Sequence, residues 1–194
     1  MIATLAALSN SMTQWMLFAA GSLVLIAISW KSLRHPRSHG FYRFFAWECM
    51  LGLLLINAKF WFYKPLAWNQ IIAWFLLIVC LLPLGLGVHS LRTRGKPAQQ
   101  REGDASLMAF EKTTTLVTSG IYQYIRHPLY SSLFLLTWGI FFKAIALTGV
   151  TLATLSTLFL VLTAKADEDE CIYFFGMLYV EYMKNTKMFV PYIL

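Results

Sequence analysis

The sequence predicts an all-α integral-membrane helical bundle, and three observations carry that prediction. Of 194 residues, 58% are hydrophobic and 13% charged, with a mean hydropathy of +0.60, whereas soluble domains carry about 25% charged residues. Apolar runs recur at close to the ~20 residues that a helix needs to cross ~30 Å of hydrocarbon. Fifteen Phe, nine Tyr and seven Trp suit a bilayer, because amphipathic aromatics collect at its interfaces. The net charge of +7 fits basic loops against anionic lipid, so membrane lipid is the expected partner. Neither nucleic acid nor an obligate protein partner is expected.

Five spans are predicted. Met12 to Trp30 is uncharged and closes at Lys31. Phe44 to Phe62 follows, interrupted by Glu48, Asn57 and Lys59, which are placed to line a cavity or, for Lys59, to snorkel outward. Asn69 to Val88 is uncharged, with Pro83 predicting a kink. Pro128 to Phe142 and Ala144 to Ala164 are separated only by Lys143 and predict a tight hairpin. The C-terminal "ADEDECIYFFGMLYVEYMKNTKMFVPYIL" begins with four acids, Asp167 to Glu170. Phe175, Tyr179 and Tyr182 then recur at helical intervals, as in a helix lying along the interface.

Loop charge predicts orientation. Lys31 to Arg43 holds Lys31, Arg34, Arg37 and Arg43 and no acid. His89 to Arg126 holds Arg92, Arg94, Lys96, Arg101, Lys112 and Arg126. The other connections offer only Lys64 and Lys143. Positive loops stay cytoplasmic, which puts the N-terminus outside and the C-terminus and the long basic loop inside. The Arg-rich 89–112 part of that loop is a plausible lid. Residues 1–115 form a three-span region and 116–194 a second region within one membrane domain.

Several motifs predict little. Cys49, Cys80 and Cys171 show neither pairing nor zinc-type spacing. The terminal "PYIL" gives no prenylation signal, and no basic segment precedes the first apolar run as in a cleaved signal peptide. "GLG" at Gly85 to Gly87 has no strand before it, so a dinucleotide fingerprint is not expected.

Arg-His-Pro occurs twice. In "LRHPRSH", Leu33 to His39, it follows a span among basic residues. His35 and His39 stand four apart, but Pro36 opposes a regular helix between them, so a topology-setting loop is expected and no metal site. In "YIRHPLY", Tyr124 to Tyr130, it precedes a span. Pro128 suits a first helical turn and Gly120 allows a turn before Tyr122. Tyr122, Tyr124, Arg126, His127 and Tyr130 thus gather at one membrane face, where the 167–170 acids can meet them. Such a pocket suits a ligand with an adenine ring, a ribose diol, a carboxylate and a cation. S-adenosylmethionine has all four, and nucleotides satisfy most of the same demands.

"LVTSGIYQYIRHPLY", the acidic pair, "FFG", "Y..EY" and a terminal aromatic stretch with Pro resemble the isoprenylcysteine carboxyl methyltransferases and the related phospholipid methyltransferases. The resemblance covers Leu116 to the end. It implies an S-adenosylmethionine site, with S-adenosylhomocysteine as product, at Leu116, Val117, Gly120, Tyr122, His127, Pro128, Tyr130 and Glu168. Two positions depart from the pattern: Ser132 stands where the family commonly has Gly, and Asp167 replaces the first Glu of the pair. The implied activity is methyl transfer at the cytoplasmic face to a lipophilic acceptor entering from the bilayer, such as a prenylcysteine carboxylate. Arg126 would orient that carboxylate and Glu168 would serve as base for an amine acceptor. Two alternatives stand beside this: an NADPH-dependent sterol- or steroid-type membrane reductase, which shares an Arg-His-Pro-x-Tyr element, and a non-enzymatic membrane scaffold.

Overall fold

The computed structural model describes residues 2–95 and 113–191, with side chains from Met12 onward. Seven α-helices follow in order: α1 (Ile2–Leu33), α2 (His39–Asn57), α3 (Trp68–Val79), α4 (Leu81–Arg94), α5 (Pro128–Phe141), α6 (Leu147–Phe175) and α7 (Met177–Asn185). Short 3₁₀ turns occupy Ala58–Phe60 and Gly120–Gln123. The fold is all-helical. An isolated parallel bridge joins Ile125 to Lys187.

Among the described residues, four segments are long and apolar enough to cross a membrane: Met12–Leu33, His39–Phe60, Trp68–Arg94 and Leu147–Phe175. The predicted fourth span, a short run in the sequence, is the shorter apolar helix α5, which has only 14 residues. At 1.5 Å per residue it covers about 21 Å, short of the hydrocarbon thickness. The predicted third span is two helices that meet at Cys80. Pro83 explains the break: it has no N–H for the Val79 carbonyl four residues earlier, and its ring crowds that oxygen.

The helices run up and down, so two ends are distinct. One end gathers the α1–α2 turn, the end of α4, the loop before α5 and the end of α6. Between the ends, α2, α5 and α6 share a core of Leu53, Ile140, Phe141 and Ala153, with a second cluster of Ala46, Met50 and Leu160. Small residues permit close approach where hydrophobicity alone gives no drive within lipid. Ser156, wholly buried, donates to the Ala46 carbonyl across 3.3 Å.

The opposite end is tied by polar groups that satisfy exposed helix-terminal carbonyls. Asn57 Nδ2 donates to Ile140 O at 2.8 Å, and Asn69 Nδ2 to Phe142 O at 3.0 Å. Lys143, 1% exposed, donates to Gln70 Oε1 at 3.1 Å and sits 3.5 Å from the Trp74 ring centroid. Of the polar residues of the second span, Glu48 braces two helices by accepting from Ser22 Oγ on α1 at 2.7 Å, whereas Lys59 lies over the ring of its neighbour Phe60.

Helix α6 outruns the predicted fifth span. Its apolar stretch fades near Ala164, but no helix breaker follows until Gly176, whose φ of 60° turns the chain into α7. The extension carries Asp167 to Glu170 back over the start of α5. Of the predicted lid, residues 96–112 lie outside the described residues.

Candidate active site

Local sequence explains how the second tripeptide is presented. Gly120 has φ of 71°, a conformation that L side chains resist. A Cβ there would stand 2.9 Å from Ser90 Oγ and 3.0 Å from Arg94 Nη1. Arg94 Nη1 donates to Ser119 Oγ at 2.7 Å, fixing this loop to the end of α4. The chain then turns through 120–123, and Pro128 opens α5 at its first position. His127, just outside the helix, is buried.

Asp167 and Glu168 descend from α6 onto this turn. His127 Nδ1 lies 3.4 Å from Asp167 Oδ2, and Nε2 lies 3.2 Å from Glu168 Oε1. Arg126 Nε donates to the same Glu168 oxygen at 2.7 Å. Burial pushes the His127 imidazole toward its neutral form, but hydrogen bonds and charge from both carboxylates outweigh it, and the pKa lies above the ordinary histidine value. Both ring nitrogens face carboxylates, so the protonated imidazole can donate to each. Two cations then balance two anions, which is the condition for burying charge without a prohibitive cost.

The cavity beside this cluster holds about 100 Å³. Leu116, Val117, Tyr122, His127, Pro128 and Tyr130, all named from the sequence, line it, as does Arg126. Gly120 instead packs against α4, and Glu168 turns toward Arg126 and His127; Tyr124 is exposed. The acids among the lining residues are Asp167 and Glu170. Tyr130 stacks on His127 with centroids 5.4 Å apart.

Sequence reasoning missed two groups. Phe175, Tyr179 and Tyr182, predicted to lie along the membrane interface, line the cavity. Burial raises the phenol pKa values of Tyr179 and Tyr182, and Tyr182 donates to the Tyr122 carbonyl at 2.6 Å. Their spacing of three residues was the available signal, because it puts both on one helical face. The other group is His39, from the first tripeptide's loop, which is fully buried rather than lipid-facing. Its Nδ1 meets Glu170 Oε2 at 2.5 Å, and its backbone N–H donates to Glu170 Oε1 at 2.9 Å. Donor atoms of His39, Asp167 and Glu170 lie within 4.8 Å of one another. The first tripeptide's loop therefore reaches the edge of the site.

Fold and site together define a polytopic helical membrane protein with a charged, aromatic-walled pocket at one end of the bundle. Residues 101–179 match the phospholipid methyltransferase family. Over 82 residues, 41% of this chain and 28% of the relative, it is 38% identical to protein-S-isoprenylcysteine O-methyltransferase of Xenopus laevis. Two methanethiol S-methyltransferases are also similar. That of Crocosphaera subtropica is 29% identical over 39% of this chain and 29% of its own length. That of Pseudomonas deceptionensis is 25% identical over 89% of this chain and 56% of its own length. The family match thus falls on the region whose motifs build the pocket, and the relatives match at modest identity. The chain spans little more than half the length of the relative it matches most extensively, and less than a third of the other two. No solved structure matches.

Proposed function

We propose that the protein is an S-adenosylmethionine-dependent methyltransferase acting on a lipophilic acceptor at the cytoplasmic face of a membrane. The observation that carries this reading is the convergence of Tyr122, His127, Pro128 and Tyr130 with Asp167 and Glu170 on one cavity, within the region matched to a methyltransferase family. The basic residues Arg34, Arg37, Arg92 and Arg94 belong to segments at the pocket end, which supports a cytoplasmic site and an external N-terminus.

The lining fits the cofactor chemically. Tyr122, Tyr130 and Phe175 offer aromatic faces for a purine and for a cation. Asp167 and Glu170 offer carboxylates for hydroxyls and positive charge. The cavity is smaller than the ~300–1,000 Å³ of typical ligand sites, so a nucleoside must part its walls or project from its mouth. Bound there, S-adenosylmethionine would supply an electrophilic methyl group.

The chain's own residues then bind, orient and exclude water. A carboxylate acceptor is already a nucleophile, whereas a thiol acceptor must give its proton to a base, and Asp167 and Glu170 are the carboxylates that line the cavity. His127, donating from both nitrogens, holds Asp167 and Glu168 in place rather than acting as a base. Arg126 is assigned a bracing role as well. Its Nε and Nη1 are engaged by Glu168 and by the Met183 and Thr186 carbonyls, so a bidentate grip on a ligand carboxylate would break one of these bonds.

A prenylcysteine carboxylate and a small thiol are the two acceptor readings. The first rests on the higher identity, 38% over 41% of the chain, and the second on the longer match, 25% over 89% of it. The reductase and scaffold alternatives receive no comparable support. The experiment uses purified protein with labelled S-adenosylmethionine and three acceptors: a farnesylcysteine analogue, methanethiol and phosphatidylethanolamine. Transfer to the first or second chooses between the readings. Transfer to none, with no cofactor binding, removes the assignment.

A further inference from the structure

Downstream of α7 the chain does not drift away. Thr186 is buried and extended, with φ −130° and ψ 157°, and from there the chain runs parallel to the tripeptide turn. Arg126 N–H donates to Lys187 O at 2.8 Å, and His127 N–H to Met188 O at 3.1 Å. In return, Lys187 N–H donates to Tyr124 O at 3.1 Å. The Arg126 guanidinium reaches over the same segment to the Thr186 carbonyl and to Met183 O. On the first turn of α5, Ser131 Oγ stands 2.8 Å from Phe189 O and 3.0 Å from His127 O. The Phe189 ring lies 6.2 Å from that of His127.

These bonds fall where the tripeptide needs them. Residues just ahead of a helix have backbone donors that the helix itself cannot satisfy. At Arg126 and His127 those donors face a buried, water-poor cluster, where an unmet N–H is costly. Here the strap supplies the carbonyls. It thereby fixes the peptide planes from which both side chains project toward Asp167 and Glu168.

We propose that residues 186–190 form a positioning strap for the pocket, with Lys187 as the backbone link to the tripeptide and Ser131 as the side chain that locks the strap to α5. None of residues 186–190 lines the cavity. The strap sets the geometry of His127 and Arg126, and its effect on ligand rests on the methyltransferase reading above.

The test exploits one backbone group. Lys187→Pro deletes the N–H that bonds Tyr124 O, and the extended conformation of Thr186 is the one a residue before proline adopts. Lys187→Ala keeps that N–H and removes only an exposed side chain. In the full-length protein, Lys187→Pro is expected to raise the KM for S-adenosylmethionine about tenfold more than Lys187→Ala does, with kcat changing about twofold or less. Amide exchange at residues 124–128 should quicken at least about tenfold in the proline variant alone. Equal KM and equal exchange in the two variants overturn the proposal. Ser131→Ala gives a second arm if the proline variant does not fold: the same KM increase and faster exchange are expected, and wild-type values for both overturn it. If the wild type binds no S-adenosylmethionine, the methyltransferase reading fails, and the exchange comparison alone decides the strap.

Discussion

Arg126 Nε stands 2.7 Å from Glu168 Oε1, and both side chains are about nine-tenths buried. This pair joins the turn before α5 to the extended end of α6, and His127 shares the same carboxylate oxygen. It is the point at which the membrane bundle becomes a site. Removing one partner leaves a buried charge unmatched, which typically costs about 3–5 kcal/mol. Glu168→Ala and Arg126→Ala are each expected to lower stability by about 3 kcal/mol. The double variant should lose less than the sum. Thermal unfolding in detergent checks this, and additive losses would mean that the pair is not coupled.

His127 predicts a pH dependence. Its folded-state pKa is raised above the ordinary value, so the folded protein holds a proton that the unfolded chain releases first. Stability from this group is complete below the ordinary histidine pKa and is lost as pH rises through the raised one. The stability difference between wild type and His127→Gln should shrink as pH rises from the ordinary histidine value through the raised one. A difference that grows with pH would contradict the cationic assignment.

Gly120 predicts a local strain effect. Gly120→Ala places a Cβ 2.9 Å from Ser90 Oγ at a φ of 71°. The cost should be about 1–3 kcal/mol, with a weakened cofactor KM because Tyr122 moves with the loop. Unchanged KM would separate this turn from the pocket.

Lys143 serves as the control at the opposite end. Lys143→Ala removes the cation from the Trp74 face and leaves Gln70 Oε1 without that donor. A loss of about 2 kcal/mol is expected, with cofactor KM unchanged. A shifted KM would show coupling between the two ends.

The all-helical fold, the long apolar helices and most of the residues that line the cavity were legible in the sequence, because hydropathy and the Gly120 and Pro128 signals are local. What was not legible depends on long-range pairing. His39 meets Glu170 across 131 residues, and nothing near His39 in the chain announces a carboxylate. The end of α6 was hidden because hydropathy reports where lipid ends rather than where a helix ends. Tyr179 and Tyr182 show the same limit: an aromatic stripe on an amphipathic helix suits a lipid interface and a pocket wall equally, and only packing decides.

The most direct test of the central claim is calorimetric binding of S-adenosylmethionine to the purified protein, with Tyr130→Ala and Asp167→Asn as companions. One site per chain in the wild type, weakened at least about tenfold in each variant, is the result predicted here. No binding to the wild type, or binding that both substitutions leave intact, would contradict it.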